Sequence, residues 1–410
     1  MSIHTDAQTI IQEALTACLP DQAVRRALEG RTFGAGRVFL VAVGKAAWQM
    51  AHCAARLLGD RLEAGVVVTK YGHSRGEIPR CAVYEGGHPV PDEDSFRGTR
   101  AAMELVENLT AEDTVVFLVS GGGSALFECP LIPAEELSHL TQAMLACGAD
   151  IVEMNTVRKR LSAVKGGRFA QLCAPARVFS IVLSDILGDP LDMIASGPAY
   201  PDQSTCAQAQ AVAEKYRLPL SPQARALLQE ETPKALDNVE TVITGSVREL
   251  CAAAGAACRR LGYEPVLLTD QLCCQAKEAG SFLASIARTH QDTQKSLAFL
   301  AGGETVVLLT GQGKGGRNQE LALSAAQGIA GLADTLIFSL GSDGTDGPTD
   351  AAGGLVDGST KDRLEAAGLT IHQVLAENDA YHALDRVGGL IRTGPTGTNV
   401  NDVAVALIKR

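Results

Sequence analysis

The chain has 410 residues, of which 46% are hydrophobic and 20% charged, and its net charge is −11. That length exceeds one ordinary core and calls for two domains. The acidic balance excludes a nucleic-acid backbone or an anionic membrane as the principal partner. Aromatic residues make up only 4% and glycines number 42, so the interior must rest on Ala, Val, Leu and Ile between many sharp turns.

At the N-terminus, Thr5 and Gln8 read as a capping box, and Ala7, Ile10, Ile11, Ala14, Leu15 and Cys18 form one helical stripe. Val38 to Val43 is a continuous apolar run, followed by Gly44-Lys45 and a helix from Ala46 to Leu58. Further strands are expected at Gly65 to Thr69, Thr114 to Val119 and Val178 to Leu183. Apolar strands alternating with helices indicate a parallel sheet covered on both faces, a Rossmann-like α/β arrangement. The segment from Pro198 to Asp237 is helical and polar and carries Pro201, Pro219, Pro222 and Pro233, which places a boundary near residue 235. Two α/β domains are therefore expected, over residues 1–235 and 236–410. The second series begins at Thr241 to Thr244 and continues near Pro265 to Leu268, Leu297 to Leu300, Thr305 to Thr310 and Thr335 to Leu340.

The 11 cysteines are scattered and none has zinc-site spacing. Buried free thiols in a reducing compartment, the cytoplasm, are the natural reading. No apolar run approaches membrane-spanning length.

Ligands of α/β sheets sit beyond the carboxyl ends of the strands, where this chain concentrates its Gly, Ser, Asp, Lys and Arg. Lys45 opens a helix, a position where the helix dipole favours anions. It either meets a substrate phosphate or carboxylate, or stands solvated at a loop edge. Ser120-Gly121-Gly122-Gly123-Ser124 suits an anion held by backbone amides, or is a flexible turn. No Walker signature is present, since no Gly-Lys is followed by Ser or Thr. Arg158, Lys159, Arg160 and Lys165 read as a solvated helix face. Asp185 and Asp189 are grouped as carboxylates that hold magnesium would be, with Asp192 assigned to capping. Gly341 to Asp350 alternates aspartates, Asp343 among them, with glycines and reads as a metal or substrate loop. Thr393 to Asp402 offers small polar contacts or a turn.

The richest stretch is GGETVVLLTGQGKGGRNQE, from Gly302 to Glu320. A strand at Thr305 to Thr310 would run into Gly311, Gly313, Lys314, Gly315, Gly316 and Arg317, then a helix. Glycines admit an anion to the backbone, and Lys314 and Arg317 add full charges. The spacing of Gly311, Gly313 and Gly316 also matches the dinucleotide fingerprint, with Asp334 or Asp343 as ribose acid, so a dehydrogenase competes. The charges crowding that turn and the aspartate-rich loops favour phosphoryl transfer, which needs phosphate donors, cations, metal-binding carboxylates and an aligned hydroxyl.

Six segments, VAVGKAA, SGGGSAL, SDILGDPLDMIASGP, GGETVV with GKGGRNQELAL, SDGTDGPTDAAG and TGPTGTNVND, occur in this order along the whole chain. Together they resemble the glycerate 2-kinase family, whose members carry a C-terminal MOFRL-type domain and are often labelled hydroxypyruvate reductase in tartrate-degradation settings. The resemblance implies a kinase that uses ATP and Mg2+ to phosphorylate the 2-hydroxyl of D-glycerate, giving 2-phosphoglycerate. Its alternative is NAD(P)H-dependent hydroxypyruvate reduction. The resemblance also implies an active site in the cleft between the domains, with Lys45 and Arg317 as functional cations. Ser120 to Ser124, Glu304 and Gly313 to Gly316 are then substrate or phosphate contacts, and Asp185, Asp189 and Asp343 the metal carboxylates. The expected partners are the small substrate and a second copy in a homodimer.

Overall fold

The computed structural model describes residues 2–410. It divides into two compact units: Ala23–Thr244, and the N-terminal stretch through Gln22 together with Gly245–Arg410.

The first unit is built on a six-stranded sheet. Its strands are β1 (Val38–Val43), β2 (Leu62–Lys70), β3 (Cys81–Gly86), β4 (Thr114–Val119), β5 (Arg177–Leu183) and β6 (Val239–Gly245), in the order β3-β2-β1-β4-β5-β6. The pairings of β1 with β2 and β4, β2 with β3, and β4 with β5 are parallel. Every residue of β1 and β4 is buried, because the pleat sends alternate side chains to two cores. Val38, Leu40 and Ala42 pack with the helix Ala47–Leu58, while Phe39, Val41 and Val43 pack with Ala102 and Val106 of the helix Glu93–Val106. Fully burying each such Val, Leu or Phe stabilises by about 1.5–3 kcal/mol. Parallel strands bring the loops after β1, β2, β3, β4 and β5 to one edge of this sheet, where Lys45 and the Ser120–Ser124 loop lie.

The second unit has strands β7 (Glu264–Leu272), β8 (Leu297–Gly303), β9 (Thr335–Gly341), β10 (Gly353–Asp357), β11 (Leu390–Ile391) and β12 (Asp402–Ile408), ordered β11-β10-β9-β12-β8-β7. This sheet is mixed: β7 and β8 run parallel, whereas β12 is antiparallel to both β8 and β9. Asp402, first in β12, is thereby paired with Gly303 and Gly341, the last residues of β8 and β9. The helices Ala276–Thr289 and Arg317–Ile329 share a core with Phe299, Ile337, Ala404 and Ala406.

Several expectations are corrected. The strand at Thr241 to Thr244 does not open the second sheet; as β6 it closes the first, so the division falls after Thr244 rather than at 235. The N-terminal helix Ile3–Ala17 groups with the C-terminal unit, because buried Asp6 accepts hydrogen bonds from Tyr263 (2.8 Å) and Lys409 (2.6 Å). That helix is capped by Ser2, not by Thr5. Residues 305–310 form no strand; β8 ends at Gly303, and the apolar run continues as a loop with Val306, Leu308 and Leu309 exposed. The basic stretch is not a solvated face either. Lys159 is 2% exposed, and Arg160 and Lys165 are fully buried. Lys159 pairs with Asp192 and Asp202, Arg160 with Asp202 and Glu231, and Lys165 with Glu128 at 2.7 Å. Asp192 thus serves as an ion-pair partner. None of the helices among the described residues is long and apolar enough to cross a membrane.

Candidate active site

In the first unit the site grows from the turn after β1. Gly44 has φ +115°, and a Cβ there would fall on Ser120, so only glycine lets the β1 and β4 loops lie together. Hydrogen bonds tie them: Lys45 N–H donates to Gly121 O at 2.9 Å, and Ala46 N–H to Ser120 Oγ at 3.1 Å. Lys45 is half-buried, and among the described residues its ammonium forms no ion pair or hydrogen bond. Beside it, among the described residues, the amides of Gly121, Gly122, Gly123 and Ser124 have no backbone acceptor. A cation and a run of open N–H donors make an anion cradle.

The loop after β5 closes on this cradle. The Asp185 carboxylate occupies the space a Cβ on Gly121 would need, and Ala195 crowds Gly123 from the other side. Ser124 Oγ lies 3.0 Å from Ser196 Oγ, which donates to Asn155 Oδ1 at 2.9 Å. Asp189 has a left-handed backbone (φ +53°), and its Oδ1 is buried without a hydrogen-bond partner. His88, from the loop after β3, also arrives here. Its Cδ2 and Nε2 lie 3.0 and 3.1 Å from the position of a Cβ on Gly122, and Lys45 Cγ lies 3.1 Å from the same point.

In the second unit the helix Arg317–Ile329 begins with a cation, contrary to the dipole preference. Carboxylates offset this. Arg317 donates from Nε to Asp402 Oδ2 (2.5 Å), from Nη2 to Asp402 Oδ1 (3.0 Å), and from Nη1 to Glu304 Oε1 (2.7 Å). Burial works against the guanidinium charge, yet Asp402 and Glu304 outweigh it and raise its pKa. Burial likewise raises the Asp402 carboxyl. Asp346 caps the same helix from outside, accepting from the N–H groups of Asn318 (3.1 Å) and Gln319 (2.8 Å). Burial nevertheless pushes its carboxyl up to about 7. A Cβ on Gly316 would strike Asp346, which explains the glycine there.

Arg317 and Asp346 border a cleft of about 730 Å³ that includes Gly315, Gly316, Asp343 and Asn378, with Val306 and Leu309 on an apolar wall. Among the described residues, the amides of Gly315 and Gly316 have no backbone acceptor. Those of Gly313 and Lys314 are spent within the protein, on Glu377 O (2.8 Å) and Asp379 Oδ1 (2.9 Å). Gly311 and Gly313 face the backbone of Glu377 and the Asp379 Cβ. They are glycines for close packing, and no strand leads into them, so the dinucleotide fingerprint lacks its structural context. Lys314 places its ammonium 4.5 Å from the centre of the Tyr381 ring.

The expected metal carboxylates divide between the units, Asp185 and Asp189 in one and Asp343 in the other. Among the described residues, no group of three or more His, Cys, Asp or Glu side chains converges as a metal site. His88 went unnoticed in the sequence, and Asp346 and Asp402 were marked only as members of polar loops. Asp402 closes a loop already marked as polar; His88 follows a half-buried strand, β3, whose sequence CAVYEG gives little signal.

Comparison with known proteins decides the family. Residues 6–229 match a family described as a domain of unknown function (DUF4147), and residues 297–402 match the MOFRL family. The chain is 51% identical to a protein from Thermotoga maritima named D-glycerate 2-kinase, over 99% of both chains. The chain belongs to the glycerate 2-kinase family. A glycerate 2-kinase from Pyrococcus horikoshii is 40% identical over 100% of this chain and 98% of its own. A crystal structure titled glycerate kinase, from Thermotoga maritima, superposes with a TM-score of 0.95 at 50% identity, covering 98% of this chain and 99% of that one. Two relatives from Agrobacterium vitis, at 39% and 38% identity, bear the name putative hydroxypyruvate reductase. In this chain Lys45 adjoins the Gly121–Ser124 loop of one unit, with Asp185 close by, and Arg317 is held by Asp402 and Glu304 in the other.

Proposed function

We propose that the protein transfers the γ-phosphoryl group of ATP to the 2-hydroxyl of D-glycerate, giving 2-phospho-D-glycerate and ADP. The observation that carries this reading is the unpaired Lys45 ammonium beside four open amides at Gly121 to Ser124, an arrangement suited to carboxylate or phosphoryl oxygens. Lys45 and this loop bind the small anion. The cleft at Gly315 and Gly316 takes the nucleotide phosphates, and its volume falls within the usual range for such ligands. Arg317, kept charged by Asp402, neutralises charge that builds on the transferring group. Glu304, exposed and bonded to one Arg317 nitrogen, yields that donor to an incoming phosphate oxygen.

Magnesium fits the residues present. Asp189 offers a buried carboxylate oxygen with no other partner, and Asp185 stands four positions earlier on the same loop. These two would hold the ion, with Asp343 as the third candidate, and the bound ion supplies charge neutralisation on phosphate oxygens. The cytoplasm is the proposed compartment and the homodimer the proposed assembly.

A paired assay tests the reaction. One sample receives D-glycerate with Mg-ATP, and the product is assigned by phosphorus NMR. Another receives hydroxypyruvate with NADH or NADPH and is followed by absorbance. A 2-phosphoglycerate resonance with flat absorbance is expected; nicotinamide oxidation without phosphoryl transfer overturns the reading.

A further inference from the structure

The cradle in the first unit contains one group with no assigned task. His88 reaches from the loop after β3 across the ends of β2 and β1 to the loop after β4. The segment that carries it is firmly anchored. A Cβ on Gly87 would crowd Val90 O and the Asp92 carboxylate. Asp92 caps the helix Glu93–Val106 through Ser95, and the Tyr71 hydroxyl lies within hydrogen-bond distance of Asp92 (2.8 Å) and Asp94 (2.7 Å). Among the described residues the imidazole makes no hydrogen bond and no ion pair. A half-buried ring, unpartnered among the described residues, packed on the glycine loop and next to the Lys45 side chain, is not explained by structural need.

We infer that His88 is a catalytic residue that accepts the proton of the acceptor hydroxyl. This rests on the kinase reading above. As the hydroxyl oxygen bonds to the γ-phosphorus, the bond to the β,γ-bridging oxygen breaks and ADP leaves with that electron pair. The hydroxyl proton passes to the free electron pair of an imidazole nitrogen and from there to water. D-Glycerate spans only a few bonds between carboxylate and 2-hydroxyl, so an anion held by Lys45 and the Gly121–Ser124 amides lies within reach of a ring that packs on the same glycine.

The surroundings keep the ring neutral and able to accept. Burial, then the charges of Lys45, Lys70 and His73, lower its pKa below the usual histidine value. Lys45 comes from the loop after β1 and Lys70 from the end of β2. His73 follows β2, and its Nδ1 lies 2.9 Å from Lys45 O. Asp185 approaches the same loop at Gly121 and is the competing base.

The test compares His88→Gln, His88→Ala and Asp185→Asn with the wild-type chain, by kcat and KM for D-glycerate between pH 5 and 9. A general base contributes about 10²–10⁴-fold, so both His88 variants should lose at least 100-fold in kcat with little change in KM. Imidazole added to His88→Ala should restore part of that rate, in proportion to its neutral form. A raised KM with unchanged kcat overturns the inference and makes His88 a binding group. Absence of rescue in a His88→Ala protein with a native circular-dichroism spectrum overturns it as well. If the wild-type chain forms no 2-phosphoglycerate, the kinase reading fails; if the wild type turns over and the His88 variants match it, only the inference fails.

Discussion

Arg317→Ala should damage stability and turnover for separable reasons. Asp402 is 6% exposed and takes two of the three side-chain hydrogen bonds that Arg317 makes. Without the guanidinium, its carboxylate is left in the sheet near Glu304 and Asp346, with Asn318 as its remaining partner. Breaking a fully buried pair costs about 3–5 kcal/mol. The Arg317 side chain keeps 32% of its exposure, and water offsets part of the loss, so about 2 kcal/mol is expected. In urea this lowers the midpoint by about 1 M. The loss should be larger at pH 8 than at pH 5. A carboxyl whose folded pKa lies above its unfolded value contributes less as pH rises, and burial already raises Asp402. Turnover should fall by about 10²–10³-fold, as for loss of one preorganised donor. The double variant Arg317→Ala with Asp402→Asn removes the orphaned charge. It should recover most of the urea midpoint and none of the turnover. Recovery of both together would refute a transition-state role and make Arg317 a structural pair.

Lys45→Met offers the contrast. Among the described residues its ammonium has no partner, so stability in urea should hold within about 0.5 kcal/mol while kcat/KM falls at least 100-fold; a large stability loss would show that the free-cation description is wrong. Gly44→Ala should cost more than about 2 kcal/mol, because φ +115° and the collision with Ser120 act together, and thermal unfolding would register it. Burial opposes the Asp202 charge, but the Thr232 hydroxyl and Lys159 hold its pKa down to about 2. Its contribution, about 2–3 kcal/mol from that shift, is therefore present above pH 4 and lost as pH falls toward 2. Asp202→Asn should flatten that acid limb in denaturant titrations, and an unchanged limb would exclude Asp202 as its source.

Local pattern in the sequence determined the four inner strands of the first sheet and the loops that follow them, but not its two edge strands. Val38 to Val43 and Thr114 to Val119 had to be buried strands, because apolar runs of that length offer no polar face. The glycines after them had to form loops at one edge. The resemblance carried by six separate motifs also named the family and marked Lys45 and Arg317. What the sequence left open depended on distant partners. Thr305 to Thr310 has strand composition, yet Asn378 claims the amides of Thr310 and Gly311 and the run becomes a loop. Lys159, Arg160 and Lys165 look solvated until Asp202, Asp192 and Glu128 are brought against them. Gly311 and Gly313 imitate a phosphate turn, but their missing side chains make room for residues 377–379. Arg317 owes its setting to Asp402, 85 residues away, and His88 meets Lys45 only because three parallel strands end at one level. A charge announces its sign in the sequence, but whether it meets solvent, a ligand or an opposite charge is decided by which strand ends pack side by side.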